Sequence, residues 1–242
     1  MASVATSGAS SGPGGAPPEG ASTAVLRRTM VDRQLRPFDV VDLPLLNAFL
    51  DTPRELFLPA AFAPLAYSDV ALSVKGDSET RWVPPPLVLA RFLQAASLRP
   101  GQKILDVGGG SGYAAALESR LVAQVTLLES DAGLATTGRE ALARAGAANV
   151  TVVTGALNQG VAVAAPFDVI LIHGRVETGL DRLLAQLAPN GRLLTYRRSG
   201  AASGVRAVRL DRAAGLDAGE WPLFDAAAPA LAAFVEAPGF RL

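Results

Sequence analysis

The residues best suited to chemistry lie between positions 103 and 129. Lys103-Ile-Leu-Asp-Val107 is a short apolar run, and Gly108, Gly110 and Gly112 follow it at a spacing of two, with Ser111 and Tyr113 among them. Glycine lets a chain turn sharply and approach a ligand closely, and such a turn presents amide N–H groups at the start of the next helix. Glu129 lies 21 residues after Gly108, at the end of the next apolar run. A carboxylate in that place can accept hydrogen bonds from both hydroxyls of a ribose. Asp106 is placed to organise the glycine turn. The pattern predicts a nucleotide-type cleft, with Asp106, Gly108, Gly110, Ser111, Gly112, Tyr113 and Glu129 around the cofactor.

Spacing separates the possible cofactors. The nicotinamide pattern needs glycine where this chain has Tyr113, and no Gly-Lys-Ser/Thr follows to make a triphosphate loop. The glycine spacing with Asp106 and Glu129 favours S-adenosylmethionine. Tyr113 either packs over the methionine part of that cofactor or covers the helix start. His173 is the one histidine and ends a predicted strand beside the cleft. It is a candidate for orienting substrate or handling a proton; the plainer reading is a hydrogen-bonded strand-end residue. Trp82 either stacks on a substrate or fills space beside the proline run, and Asp168 and Arg175 read as solvated or structural.

Composition narrows the chemistry further. With no cysteine and one histidine, disulfides, thiolate sites, a cysteine nucleophile and a multi-histidine metal centre are excluded, and no metal site is predicted. Twenty-two basic residues balance 22 acidic ones, so no basic field points to nucleic acid. Arg27-Arg28 and Arg197-Arg198 read as solvated ends. No apolar run is long enough for a membrane span. The first residues lack a basic start followed by an apolar run, so no secretory signal is read, and the cytoplasm is the expected location.

Residues 1–24, rich in Gly, Ser, Ala and Pro, are expected to form a disordered tail, and patterned sequence begins around Met30, a candidate start. Residues 25–85 are read as a helical and extended cap, with a helix at 43–50 capped by Asp42, a turn or short helix at 53–59 and extended chain at 67–83. Pro86 opens a helix to about 97. Residues 86–242 then alternate. Strands are expected at 103–107, 125–129, 150–154, 167–172 and 192–196, with helices near 112–121, 132–145 and 178–188. Alternation of this kind predicts an α/β fold with a parallel sheet covered on both faces. Late strands at 205–210 and near 231–236 suit an antiparallel edge.

Several pieces add a more specific signal by their order: Met30-Val-Asp-Arg-Gln-Leu35, Pro53-Arg-Glu-Leu-Phe-Leu-Pro59, Leu65-Ala-Tyr-Ser-Asp69, Pro86 four before Ala90, Gly110-Ser-Gly-Tyr113, Phe167-Asp-Val-Ile-Leu-Ile172 and Gln186-Leu-Ala-Pro-Asn-Gly-Arg-Leu193. Over roughly residues 30–200 the chain resembles the protein-L-isoaspartate O-methyltransferases. The resemblance implies a Rossmann-like class I methyltransferase fold, a mostly parallel seven-stranded sheet with an antiparallel edge and an N-terminal helical extension. It also implies S-adenosylmethionine as cofactor, and methylation of the isoaspartyl carboxylate in damaged proteins or peptides as a cytoplasmic repair activity. A carboxylate is already nucleophilic at neutral pH, so holding the reactants in line and excluding water supplies most of the acceleration.

Two positions depart from the family pattern. The serine that the family places at the reacting carboxylate aligns with Pro84, which has neither a hydroxyl nor a backbone N–H. No catalytic residue is assigned from the sequence; His173 is a candidate. The aspartate that holds the adenine aligns with Ala156, so adenine would rest on Ala156 and Leu157 without a bond commonly worth about 1 kcal/mol. These departures motivate a second reading, a methyltransferase fold with little or no activity that serves as a binding or assembly module.

Overall fold

The structure is a computed structural model and describes residues 22–198, 204–212 and 219–235. Its centre is a seven-stranded sheet of order β5-β4-β3-β6-β7-β8-β9. The strands are β3 (Lys103–Val107), β4 (Gln124–Glu129), β5 (Val150–Thr154), β6 (Phe167–Arg175), β7 (Leu187–Arg198), β8 (Val205–Asp211) and β9 (Gly219–Asp225). The first five are parallel, and β8 and β9 add the antiparallel edge. Helices cover both faces, so the central strands are near-continuous apolar runs. One face buries Ile104, Leu127, Val169 and Leu194; the other buries Leu105, Leu128, Ile170 and Leu193.

Among the described residues six α-helices pack around this sheet and its cap: α1 (Thr23–Met30), α2 (Leu43–Asp51), α3 (Pro86–Ala96), α4 (Tyr113–Glu118), α5 (Ala132–Arg144) and α6 (Asp181–Ala185). Asp42 caps α2 by accepting from the Leu45 N–H, and Pro86 stands at the first turn of α3, where its missing N–H costs no helical bond. Phe92 on α3 is buried and stacks on Tyr196 of β7 at 4.9 Å between ring centroids. A separate hairpin, β1 (Leu72–Lys75) and β2 (Thr80–Val83), pairs Leu72 with Val83 and lies over the ends of β3 and β4.

Some elements differ from the sequence expectation. Helix α1 begins at Thr23, inside the stretch read as tail, and the rest of that stretch, 1–21, lies outside the described residues. Arg27 is not a solvated end: its guanidinium donates to the Leu50 carbonyl at 2.6 Å and to the Tyr67 hydroxyl at 3.2 Å. Helix α6 is short because β7 begins at Leu187, which already pairs with Phe167. The last strand is Gly219–Asp225 rather than 231–236. Pro222 is tolerated there because β9 is the sheet edge. Ala232–Phe234 forms a single helical turn that places Phe234, with Leu231, in the core.

Phe92→Ala removes a buried ring at the α3–sheet contact and is expected to destabilise the fold by about 3–5 kcal/mol. Urea unfolding followed by circular dichroism measures it, and a loss under 1 kcal/mol would show that the contact contributes little.

Candidate active site

The glycine turn forms as the spacing requires. Gly108, Gly110 and Gly112 have φ of 70, 62 and 88°, all in the left-handed region, and they carry the chain from β3 into α4. The sheet order reverses between β3 and β6, so the turn sits at the switch point where ligands of open α/β sheets bind. Parallel pairing of Val107 with Leu128 brings Glu129 level with the turn, and the Gly110 N–H donates to Glu129 Oε2 at 3.1 Å.

Glu129 is 0% exposed, and a residue that the sequence pattern did not single out fills its outer side. Arg81 of β2 donates from Nε to Oε2 at 3.1 Å and from Nη2 to Oε1 at 2.7 Å. The Ser130 and Asp131 N–H groups add bonds of 2.7 and 3.0 Å to Oε1. Arg81 also pairs with Glu79 and donates to the Ser130 hydroxyl. Asp131, the cap of α5, holds the hairpin turn in place by accepting from the N–H groups of Asp77, Ser78 and Glu79. The clue in the sequence was alternation: Leu72, Val74, Arg81 and Val83 are the buried positions of the hairpin, so an arginine stands where an apolar residue is the rule.

Leu231 closes the other side. A Cβ on Gly108 would stand 3.5 Å from its Cδ1, and one on Gly174 only 2.6 Å from its Cγ. The segment is fixed there by N–H bonds from Arg175 to Pro229 and from Leu231 to Arg175. Leu157 is buried against the same cluster, while Ala156 is exposed. Between β2 and residues 229–232, with His173 on its wall, a cavity of about 210 Å³ remains, below the roughly 300 Å³ at which ordinary ligand pockets begin. The glycine turn and Glu129 therefore match the expected cofactor in residue type. In this arrangement they leave it no seat, because Arg81 holds the carboxylate and Leu231 lies on the turn.

The other expected residues fall in several places. Tyr113 is buried between Phe57, Phe49 and the Arg54 guanidinium, 5.1 Å from its ring, which makes it part of the helix–cap contact. The Ser111 hydroxyl donates to the Phe57 carbonyl. Arg54 Nη2 donates to the Pro84 carbonyl at 3.0 Å and so fixes the proline run. Trp82 meets Tyr196 edge-on at 5.5 Å. Asp168 Oδ2 accepts from the Lys103 N–H at 2.7 Å, and Arg175 pairs with Glu177.

His173 does not end its strand, because β6 runs on to Arg175. It is buried, with Nε2 at 3.2 Å from Asp106 Oδ2 and 3.8 Å from Glu118 Oε1. Asp106 also lies against the turn: a Cβ on Gly109 would meet its Oδ1 at 2.3 Å. Glu118 ends the Ala-rich helix α4 facing inward, and only the register of α4 on the sheet could reveal that. Burial, reinforced by Asp106, raises the Glu118 carboxyl to about 8. Burial opposes the His173 imidazolium, yet Asp106 and Glu118 outweigh it and raise His173 to about 10.

Both shifts mean that the folded chain holds protons that the unfolded chain releases. Stability should fall as pH rises from about 4.5 to 8 for Glu118 and from 6.5 to 10 for His173. In chelator-treated buffer the melting temperature is expected to drop most steeply between pH 6.5 and 8, where both contribute. Glu118→Gln should flatten the part below 6.5; a wild-type profile flat from 6.5 to 8 would refute the assignment.

Comparison with known proteins places these features in context. Residues 29–200 match the family model described as Protein-L-isoaspartate(D-aspartate) O-methyltransferase. The chain is 40% identical over 179 residues to the protein-L-isoaspartate O-methyltransferase of Koribacter versatilis, covering 74% of this chain and 79% of that one. It is 38% identical over 189 residues to that of Methylorubrum extorquens, covering 78% and 80%. Among solved structures, a protein-L-isoaspartate O-methyltransferase shares the fold with a TM-score of 0.76 and 24% identity, over 85% of this chain and 65% of that one. A second, from Plasmodium falciparum in complex with S-adenosyl-L-homocysteine, does so with a TM-score of 0.68 and 18% identity, over 85% and 97%.

Proposed function

The chain belongs to the protein-L-isoaspartate O-methyltransferase family, whose cofactor is S-adenosylmethionine, and from that membership we propose that it is a carboxyl methyltransferase acting on a protein or peptide. The observation that carries the reading is the glycine turn at 108–112 held level with Glu129 at the switch point of the sheet. In this reading Glu129 receives the ribose hydroxyls and the turn, with Asp106, Ser111 and Tyr113 behind it, lines the methionine side. Ala156 and Leu157 flank the adenine.

For that to happen the Arg81 side chain must leave Glu129. The hairpin is thus a gate, and binding bears the cost of opening a buried ion pair. Pro84 offers an acceptor carboxylate no hydroxyl, so isoaspartyl peptides are expected to be poor acceptors and the native acceptor carboxylate to be a different one.

The Arg81–Glu129 pair also favours a second reading. If the pair never opens, the chain keeps the family fold as a binding or assembly module. Calorimetric titration with S-adenosylhomocysteine separates the two. Under the gate reading the wild type binds weakly, Arg81→Ala binds at least about 10-fold more tightly, and Glu129→Gln does not gain, because it removes the lock and the ribose acceptor together. Absence of binding by both wild type and Arg81→Ala at ~1 mM, with both folded, would favour the module reading. Micromolar binding by the wild type with residues 72–83 still protected from hydrogen exchange would rule out the gate.

Acceptor preference has its own test. Pro84→Ser is expected to raise methyl incorporation into an isoaspartyl peptide above a weak wild-type level, measured with labelled cofactor. Strong turnover by the wild type would show that the missing hydroxyl is immaterial.

A further inference from the structure

Asp106, Glu118 and His173 come from three elements, the end of β3, α4 and β6, and meet behind the glycine turn. All three are buried, at 0, 0 and 3% exposure. Among the described residues, both oxygens of Asp106, both oxygens of Glu118 and His173 Nε2 have no hydrogen-bond partner. Nε2 stands 3.2 Å from Asp106 Oδ2 without the alignment of a hydrogen bond. The carboxyl oxygens of Asp106 and Glu118 and the His173 nitrogen converge on one small volume, as donor atoms do around a shared cation. Buried polar atoms in that state are rare and call for a partner.

We propose that Asp106, Glu118 and His173 bind one divalent first-row cation, Zn²⁺ or Mn²⁺, at the floor of the cleft. One donor atom from each residue lies within 4.8 Å of the other two, and the two nitrogen–oxygen spacings are 3.2 and 3.8 Å. Bonds of about 2.1 Å in a tetrahedral site set neighbouring donors about 3.4 Å apart, close to both nitrogen–oxygen spacings. A doubly charged cation balances the two buried carboxylates, with the imidazole neutral. One nitrogen and two carboxylate oxygens suit zinc or manganese. Beside His173 a void of about 10 Å³, walled by Gly109, Ser111, Tyr113 and Pro84, has room for about one water. The site is distinct from the Glu129 side of the cleft and does not depend on whether the methyltransferase reading holds.

The test uses the full chain without affinity histidines, stripped with a chelator, loaded with Zn²⁺ or Mn²⁺ and gel-filtered. Metal is counted by mass spectrometry and the melting temperature is read alongside. One equivalent of one of the two cations is expected to stay bound and to raise the melting temperature by several degrees. Glu118→Gln and His173→Gln, which keep side-chain volume, should each retain less than about a tenth of it, while Glu140→Gln on the exposed face of α5 retains it all. Circular dichroism confirms that each variant is folded. Failure of the wild type to retain either cation, with a melting temperature unmoved at ~1 mM, overturns the proposal, as does equal retention by the folded variants.

Discussion

A carboxylate buried at the end of β4 organises this molecule. A charge taken out of water is tolerable only where donors surround it, and Glu129 has five N–H donors from four residues. Gly110 supplies one, Ser130 and Asp131 just before α5 supply two, and Arg81 supplies two from a hairpin remote in sequence. Because each donor is itself fixed by backbone geometry, the one group sets the height of the glycine turn, the start of α5 and the seat of the hairpin. Asp131, two residues on, extends the same logic to the hairpin turn. Removing Arg81 would leave the Glu129 carboxylate in the interior without its cation, and breaking a buried pair in this way commonly costs about 3–5 kcal/mol.

How much of this was legible in the sequence depended on the range of the interaction. Strands β3 to β7 are short apolar runs between turn residues, and their existence follows from local pattern alone. The glycine turn and Glu129 were legible because parallel pairing fixes their relation once both strands are granted. Arg81 was harder to see: alternation puts it on the buried face of the hairpin, but its partner lies 48 residues away and nothing local names it. Glu118 escaped for a similar reason: at the end of an alanine-rich helix a glutamate looks solvated until the packing face is known. The last strand was misplaced because apolar residues 231–234 pattern like a strand while serving as a plug on the sheet face.

Family membership and local geometry pull in different directions, and the residues say where. The scaffold that would carry a cofactor is present down to the three left-handed glycines. The space beside it is taken by two side chains, Arg81 and Leu231, that reach in from opposite ends of the chain. On the acceptor side, the run Pro84-Pro-Pro86 is rigid and poor in donors, and Arg54 clamps its first carbonyl. Whatever ligand this cleft takes must either displace those groups or use them.

The position of Leu231 also bears on the order in which the molecule can be built. Gly108 and Gly174 are synthesised well before the leucine that lies on them, and the bonds that hold it run from Arg175 to residues 229–231. Contacts so far apart in the chain form late, because the loop between them must first be closed. A nascent chain can therefore complete β3, β4 and β6 while the cleft still stands open above them. During that interval the glycine turn is more accessible than at any later time, so a small ligand or a chaperone would meet it before the chain's own leucine does.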